Sequence, residues 1–188
     1  MTINQLYETL NYVDASRENR LKYAKMVLDD MSLFPKLIEI MFMVNDPISS
    51  RAAWVFEYVC NDYIYGLIPY LDVFTKNLKQ VYLDSSIRPV AKVCEMLAKE
   101  YDSKHNKTIK KNLQAVHKER IIEACFDWMI SDQKVAVKAY SMTTLYLLGQ
   151  EYDWVHPELK QILQHDYANE SAGFKARAKQ VLKKIKGA

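Results

Sequence analysis

Basic and aromatic side chains recur at helical spacing in several segments of this sequence. Arg51, Trp54 and Tyr58 fall on one side of a helix drawn at about 100° per residue. Stripes of the same kind further along the chain contain Arg88, Lys92, Lys99, Lys138, Lys175 and Lys179. Such a surface could hold an anion through its charges and a planar group through its rings. The alternative is that these side chains form only the solvated face of ordinary surface helices.

Side chains suited to catalysis are sparse. Asp62 near Tyr58 and Asp127 beside Trp128 are isolated carboxylates, whereas acid–base catalysis needs a partner group and a matched pKa. The four histidines show no H-x-x-x-H or H-E-x-x-H spacing, which argues against a metal site. Four glycines leave no room for a glycine-rich phosphate loop. We therefore expect no catalytic residue, no metal and no cofactor, and the sequence favours a chain that is not an enzyme.

Composition indicates a helical chain of ordinary balance. Its 188 residues include only 4 Gly and 5 Pro, which argues against sandwiches, barrels and disorder. The net charge is +3. Residues 1–100 carry 11 basic and 13 acidic side chains, and residues 101–188 carry 15 and 10. The basic second half is compatible with an anionic partner and equally with solvated lysines.

The cellular address is inferred from three absences. The 3 cysteines form no C-x-x-C pair, which favours buried thiols in a reducing compartment. The first residues contain no basic and apolar segment of the kind that directs secretion. No apolar run approaches the roughly 20 residues that a membrane helix needs. We expect a cytoplasmic protein that does not enter the membrane.

Apolar residues recur every three or four positions along nearly the whole chain, which predicts about ten helices. Predicted helix starts lie at Ser16, Asp46-Pro47, Asp84 and Ser171, because these side chains can accept hydrogen bonds from unpaired helix amides. Gly149 is a predicted helix end. One helix is predicted over 68–83, and another, long or kinked, over 108–130. Residues 102–118 form a basic polar insertion.

The ten helices pair as five antiparallel hairpins. The second helix of each pair has a basic residue near its start, followed by small or apolar residues. These basic residues are Arg20, Arg51, Arg88, Lys138 and Arg177. The steps between them are 31, 37, 50 and 39 residues, close to the roughly 34–47 residues of helical-hairpin repeats. The insertion accounts for the longest step.

This pattern resembles HEAT and armadillo-like repeats. The closest match is segment 34–60, with Phe34-Pro35, Asp46-Pro47 and Arg51-Ala52-Ala53, and segment 69–101 follows. The resemblance implies an all-α fold, a right-handed α-α superhelix of about five hairpins. It implies one repeat domain over residues 1–188, with the second helices on the concave side.

Three functions are compatible with the resemblance. The first is a non-enzymatic scaffold that binds a protein or peptide in a concave groove formed by the nine basic and aromatic residues named above. The second is nucleic-acid binding, as in HEAT-like proteins that repair alkylated DNA. The third follows from short bacterial helical proteins that carry an adenylosuccinate lyase label. We disfavour the lyase because the chain is short and Asp84–Pro89 only weakly resembles the lyase signature loop.

Overall fold

A computed structural model of the protein describes residues 1–186, and within them the chain is built from helices and turns without a strand. Four short 3₁₀ segments cover Met31–Leu33, Ile64–Tyr70, Leu78–Gln80 and Gly149–Glu151. The α-helices of the described residues are α1 (Ile3–Leu10), α2 (Arg17–Asp29), α3 (Phe34–Met41), α4 (Ile48–Asp62), α5 (Leu71–Lys76), α6 (Asp84–Asp102), α7 (Thr108–Asn112), α8 (Ala115–Ile130), α9 (Val135–Leu148), α10 (Val155–Asp166) and α11 (Ala172–Lys186).

Helix starts agree with the cap residues that the sequence offers. The Ser16 hydroxyl accepts a hydrogen bond of 3.2 Å from the Asn19 amide at the start of α2. The Asp46 carboxylate accepts one of 3.0 Å from the Ile48 amide at the start of α4. Ser171 has the same role in α11. Side-chain caps of this kind stabilise a helix by about 1 kcal/mol each.

The predicted helix over 68–83 is wrong. Only Leu71–Lys76 is α-helical, between two 3₁₀ segments. Pro69 lies inside the first of these segments, where its missing N–H and fixed φ interrupt an α-helical ladder. The buried side chains of this region nevertheless keep a spacing of three and four residues: Ile64, Leu67, Leu71, Phe74, Leu78 and Val81. The apolar pattern therefore continues through a change of helix type.

The packing of the Cα trace divides the chain into two compact units, each described below by itself. Unit 1 comprises Met1–Met96, and unit 2 begins at Leu97. In unit 1, α3 packs against α4, α1 against α3, and α2 against α4. Helices of one hairpin, and equivalent helices of consecutive hairpins, are therefore neighbours. This arrangement is the one predicted for stacked hairpins.

Aromatic rings fill the centre of unit 1. The rings of Phe34 and Phe56 stack with centroids 5.6 Å apart, and Phe56 and Phe74 lie 5.5 Å apart. All three side chains are fully buried. Burial of each ring contributes about 1.5–3 kcal/mol. One phenylalanine comes from each of three consecutive segments, so this contact holds neighbouring hairpins together.

Unit 2 repeats the same packing with different side chains. Helix α8 packs against α9, α9 against α11, and α10 against α11. Phe174 of α11 is fully buried. Cys125 of α8 is a buried thiol outside any disulfide, as are Cys60 and Cys94 in unit 1. No helix of residues 1–186 combines the length and the apolar character that crossing a membrane requires.

The polar segment 102–118 contains more regular structure than its composition suggests. It includes the short helix α7, whose Ile109 is buried, and Leu113 is buried next to it. The chain leaves the helical region at Leu113, with φ −80° and ψ 90°. The stretch 108–130 is therefore two helices. The His117 ring then accepts a hydrogen bond of 3.2 Å from the Gln114 amide at the start of α8.

Gly149 follows α9, where the sequence predicts a helix end. Its φ of −65° is helical, so no left-handed conformation requires a glycine here. Space requires it instead. A Cβ atom on Gly149 would lie 2.6 Å from Val155 Cγ1 and 2.8 Å from His156 Cδ2, which is too close for atoms without a bond. The glycine thus allows the start of α10 to approach the end of α9.

Candidate functional site

Five of the nine predicted contact residues lie on neighbouring helices of unit 1. We call this set the unit 1 row: Arg51, Trp54 and Tyr58 on α4, and Arg88 and Lys92 on α6. All five side chains are half-buried. The structure therefore brings together the aromatic and basic residues that sequence spacing placed on separate helix faces.

Hydrogen bonds across the hairpins hold the row in place. Arg51 Nη1 donates to the backbone carbonyl of Asn11 at 2.6 Å. The Trp54 indole Nε1 donates to the Ser85 carbonyl at 2.9 Å. The Arg20 guanidinium lies 5.2 Å above the centroid of the Tyr58 ring. Each contact joins residues between 31 and 40 positions apart, about one repeat.

Two of the three cations of the row face carboxylates. Arg88 donates to Glu57 at 2.9 Å, and Lys92 pairs with Glu95 at 2.6 Å. The Glu57 and Glu95 side chains are buried. The sequence analysis missed the role of Glu57, although it precedes Tyr58 on α4 and lies one repeat step before Arg88. The local charge of the row is therefore mixed rather than uniformly positive.

A cleft opens beside the row, between the starts of α4 and α6. We call it the Trp54 cleft; it has a volume of about 370 Å³. Its lining includes Trp54, Arg51, Asn45, Asp84 and Ser85. A guanidinium has five N–H donors, and Arg51 uses only Nη1 in the hydrogen bonds to Asn11. The cleft thus combines an aromatic wall, free guanidinium donors and carboxylate and carbonyl acceptors.

The other four predicted contact residues lie in unit 2. Lys138 on α9 pairs with Glu170 at 2.5 Å, and its Nζ lies 5.8 Å from the Phe174 ring centroid. Lys175 donates to the Ala168 carbonyl at 3.0 Å. Lys99 and Lys179 are exposed on α6 and α11. A single basic line through all nine residues stays a prediction.

The sequence analysis also missed a buried cation in unit 2. Lys118 lies at the start of α8, where its Nζ donates to the Tyr101 hydroxyl at 2.9 Å and to the Glu151 carboxylate. The Tyr101 hydroxyl also donates to Glu151 at 2.6 Å. The Lys118 ammonium is 4.7 Å from the Tyr101 ring centroid and 5.8 Å from that of Tyr152. We call Tyr101, Lys118, Glu151 and Tyr152 the Lys118 cluster.

The electrostatics of the Lys118 cluster favour its charged forms. Burial by itself would lower the pKa of Lys118, but hydrogen bonds with Glu151 and Tyr101 outweigh it and raise that pKa. Burial would likewise raise the pKa of Glu151, and the same partners lower it. The pKa of Tyr101 is raised by burial and by its hydrogen bond to Glu151. These shifts in pKa favour the ion pair between Lys118 and Glu151.

A sequence signal for Lys118 burial does exist. Lys118 lies three, four and seven positions before Ile121, Ile122 and Cys125, all of which are fully buried. This spacing places the lysine on the apolar face of α8. The sequence analysis placed Lys118 in the insertion instead, because the residue is charged and follows polar residues.

The described residues contain no group of three His, Cys, Asp or Glu side chains arranged to hold a metal ion.

Comparison with known proteins finds no match among curated proteins and none among solved structures. A family model described as a HEAT repeat domain matches residues 8–185. This match, together with the helical hairpins, confirms the predicted all-α fold class. HEAT repeats generally serve as scaffolds for protein interactions. The chain belongs to the HEAT repeat family.

Proposed function

We propose that this chain is a non-enzymatic interaction module that binds a segment of a protein partner through the Trp54 cleft and the unit 1 row. The observation that carries the proposal is the fixed position of Trp54 and Arg51. Both side chains are held by hydrogen bonds to the backbone of other hairpins. A side chain that is ordered before binding loses less entropy when a partner arrives.

The chemistry of the Trp54 cleft suits a peptide segment. The Trp54 ring offers an apolar surface to a side chain of the partner, and tryptophan and arginine are the residues that most often dominate binding energy. The free N–H groups of Arg51 can bind a carboxylate or a main-chain carbonyl. Asn45 and the Asp84 carboxylate, also in the lining, can accept hydrogen bonds from main-chain amides.

The pairing of the cations favours a protein partner over nucleic acid. Binding to a phosphate backbone draws its affinity from lysines and arginines that release counterions. In unit 1, Arg88 is paired with Glu57 and Lys92 with Glu95. The carboxylates offset the positive potential that a phosphate chain would need. Nucleic-acid binding therefore stays the second candidate.

The unit 2 residues enter the proposal as additional contacts. Lys99 and Lys179 are exposed, and we propose them as peripheral contacts of a partner, where charges mainly affect the association rate. Lys138 and Lys175 are engaged within unit 2 and would position neighbouring groups. We propose a cytoplasmic location because the three cysteines are buried and form no disulfide, as expected in a reducing compartment.

Affinity capture from the source cells tests this function. The tagged chain is incubated with nuclease-treated lysate, and retained proteins are quantified by mass spectrometry. We expect at least one protein that Arg51→Ala and Trp54→Ala each reduce about tenfold. Arg17→Ala and Trp154→Ala are matched controls, since both side chains are exposed and outside the cleft, and we expect them to retain it.

The retained protein is then purified and its affinity for each variant is measured by calorimetry. Unfolding curves of Trp54→Ala and Arg51→Ala show whether either variant is misfolded. If Trp54→Ala is misfolded, the affinity of Arg51→Ala alone tests the proposal. The proposal fails if no protein is retained from the nuclease-treated lysate, or if the cleft variants retain it as well as the controls do.

A further inference from the structure

A second cleft lies within unit 2, along one side of α10. It has a volume of about 950 Å³, at the upper end of the roughly 300–1,000 Å³ of ligand pockets. Its lining includes Tyr152, His156, Lys160, Gln161, Gln164 and Ile185. We call it the α10 cleft. None of the nine residues predicted from sequence belongs to it.

The polar side chains of the α10 cleft are available to a ligand. Among the side chains of residues 1–185, those of Lys160, Gln161 and Gln164 have no hydrogen-bond or ion-pair partner. The unit 1 row differs, since its members already contact other hairpins. Free carboxamides one helical turn apart on the same face each offer a donor and an acceptor.

The base of the cleft is rigid. His156 Nε2 donates to the Tyr146 carbonyl at 2.8 Å. The His156 ring also stacks on Tyr146, with centroids 5.5 Å apart and planes 9° apart. Gly149 lets the chain pass close against Val155 and His156, where a Cβ atom would not fit. The surface behind the free amides is therefore fixed before any ligand binds.

The charges of the lining define the ligand. Lys160 supplies one unpaired positive charge, while the exposed Asp153 in the same lining repels a second negative group. This balance disfavours phosphates and other polyanions. The glutamines match the alternating N–H and C=O groups of a main chain, and Tyr152 and Ile185 offer apolar contacts. We propose that the α10 cleft is a second binding site, specific for an extended peptide segment with one acidic residue bound at Lys160.

Selection from a phage-displayed library of random dodecapeptides on the full-length chain tests the proposal. We expect enriched peptides to share one Asp or Glu. Synthetic copies should bind Gln161→Ala/Gln164→Ala and Lys160→Glu about tenfold more weakly than the unchanged chain, because main-chain and charged hydrogen bonds are lost. Gln180→Ala and Lys76→Glu are matched controls on exposed residues outside the cleft, and they should leave affinity unchanged.

A double-variant cycle assigns the charge contact. Replacing the acidic residue of the peptide by its amide should weaken binding to the unchanged chain and strengthen binding to Lys160→Glu, because the amide removes the repulsion between the two carboxylates. The proposal is overturned if no peptide is enriched, or if the double glutamine variant binds as the unchanged chain does. Peptides whose binding is lost in Trp54→Ala but not in the glutamine variant would also overturn it, while supporting the Trp54 cleft.

Discussion

Units 1 and 2 each contain an ion pair that joins residues about one repeat apart, and the two pairs are buried in opposite senses. In unit 1, the Glu57 side chain is 11% exposed and its partner Arg88 is 40% exposed. In unit 2, the Lys118 side chain is 10% exposed and its partner Glu151 is 39% exposed. The Glu57–Arg88 pair of unit 1 thus buries the anion and exposes the cation, whereas the Lys118–Glu151 pair of unit 2 does the reverse.

The two pairs differ in the sign of the buried charge and therefore in the sign of the charge that faces water. In each pair, the exposed partner compensates a group that could not stay buried alone. Removing the exposed partner should therefore cost more than neutralising the buried group, since only the first change leaves an uncompensated buried charge. The fold can use either sign inside, and the choice leaves a different charge on each surface.

The largest effect is expected at the exposed partner in unit 2. Glu151→Ala should lower the free energy of unfolding by about 2 kcal/mol, because Lys118 loses its carboxylate and keeps the Tyr101 hydroxyl as its hydrogen-bond acceptor. Lys118→Met should lower it by less than about 1 kcal/mol, since an apolar chain of similar length replaces the charge. Urea unfolding followed by circular dichroism measures both values. Glu158→Ala, an exposed carboxylate on α10, is the control. A larger loss in Lys118→Met than in Glu151→Ala would contradict the comparison.

The equivalent change in unit 1 should have a smaller effect. Arg88→Ala should lower the free energy of unfolding by about 1–2 kcal/mol, because it leaves the Glu57 carboxylate buried without its cation. Glu57→Gln should cost less, about 0.5 kcal/mol, since the amide can still accept a hydrogen bond from Arg88. Arg17→Ala is the exposed control. The same unfolding curves measure these values, and equal losses in Arg88→Ala and Glu57→Gln would argue against the stranded-charge explanation.

Acid should weaken unit 2 through Glu151. Its pKa in the folded protein lies below the ordinary value, so the unfolded chain binds the proton more tightly. The stability from this carboxylate is present above the unfolded pKa of about 4.3 and is lost as the pH falls through the folded pKa. The pKa of Lys118 is raised, so its contribution is lost only as the pH rises through that value. When the free energy of unfolding is measured across pH, its decrease in acid should be shallower in Glu151→Ala than in the unchanged chain. An equal decrease in both would show that this carboxylate does not contribute to the pH dependence.

The smallest effect is expected for duplex DNA. Because two of the three cations of the unit 1 row are paired with carboxylates, the slope of log affinity against log salt should correspond to no more than about two phosphate contacts. Arg88→Glu should change this slope little. Fluorescence anisotropy over a range of salt concentrations measures it. A steep slope that Arg88→Glu reduces would favour the nucleic-acid alternative and weaken the proposal of a protein partner.

Much of the fold follows from local sequence signals. Ser16, Asp46 and Ser171 lie where the sequence places helix starts, because capping is chemistry between residues two or three positions apart. The prediction of one α-helix over 68–83 was wrong, because apolar spacing is the same for 3₁₀ and α segments that share a buried face. The predicted helix end at Gly149 has a different physical reason: the glycine allows close approach of Val155 and His156 and does not supply a special backbone conformation.

The candidate sites were less accessible to prediction. Helical spacing identified the unit 1 row, because its members lie on one face of α4 or α6. It did not identify the Glu57–Arg88 pair, whose partners are 31 residues apart and meet only through the register of consecutive hairpins. Lys118 was missed because a charged residue is rarely buried unless it is paired, and its partner Glu151 is 33 residues away.

The three buried cysteines give the molecule internal reporters of its own opening. Burial raises the pKa of the Cys125 thiol to about 12, against opposing hydrogen bonds from Ser141 and Thr144, and raises that of Cys60 well above its ordinary value. Alkylating reagents react with the thiolate, so labelling of these cysteines near neutral pH requires local unfolding. Cys60 and Cys94 report on unit 1 and Cys125 on unit 2. Their relative labelling rates in the unmodified chain therefore measure whether the two units open together or one at a time.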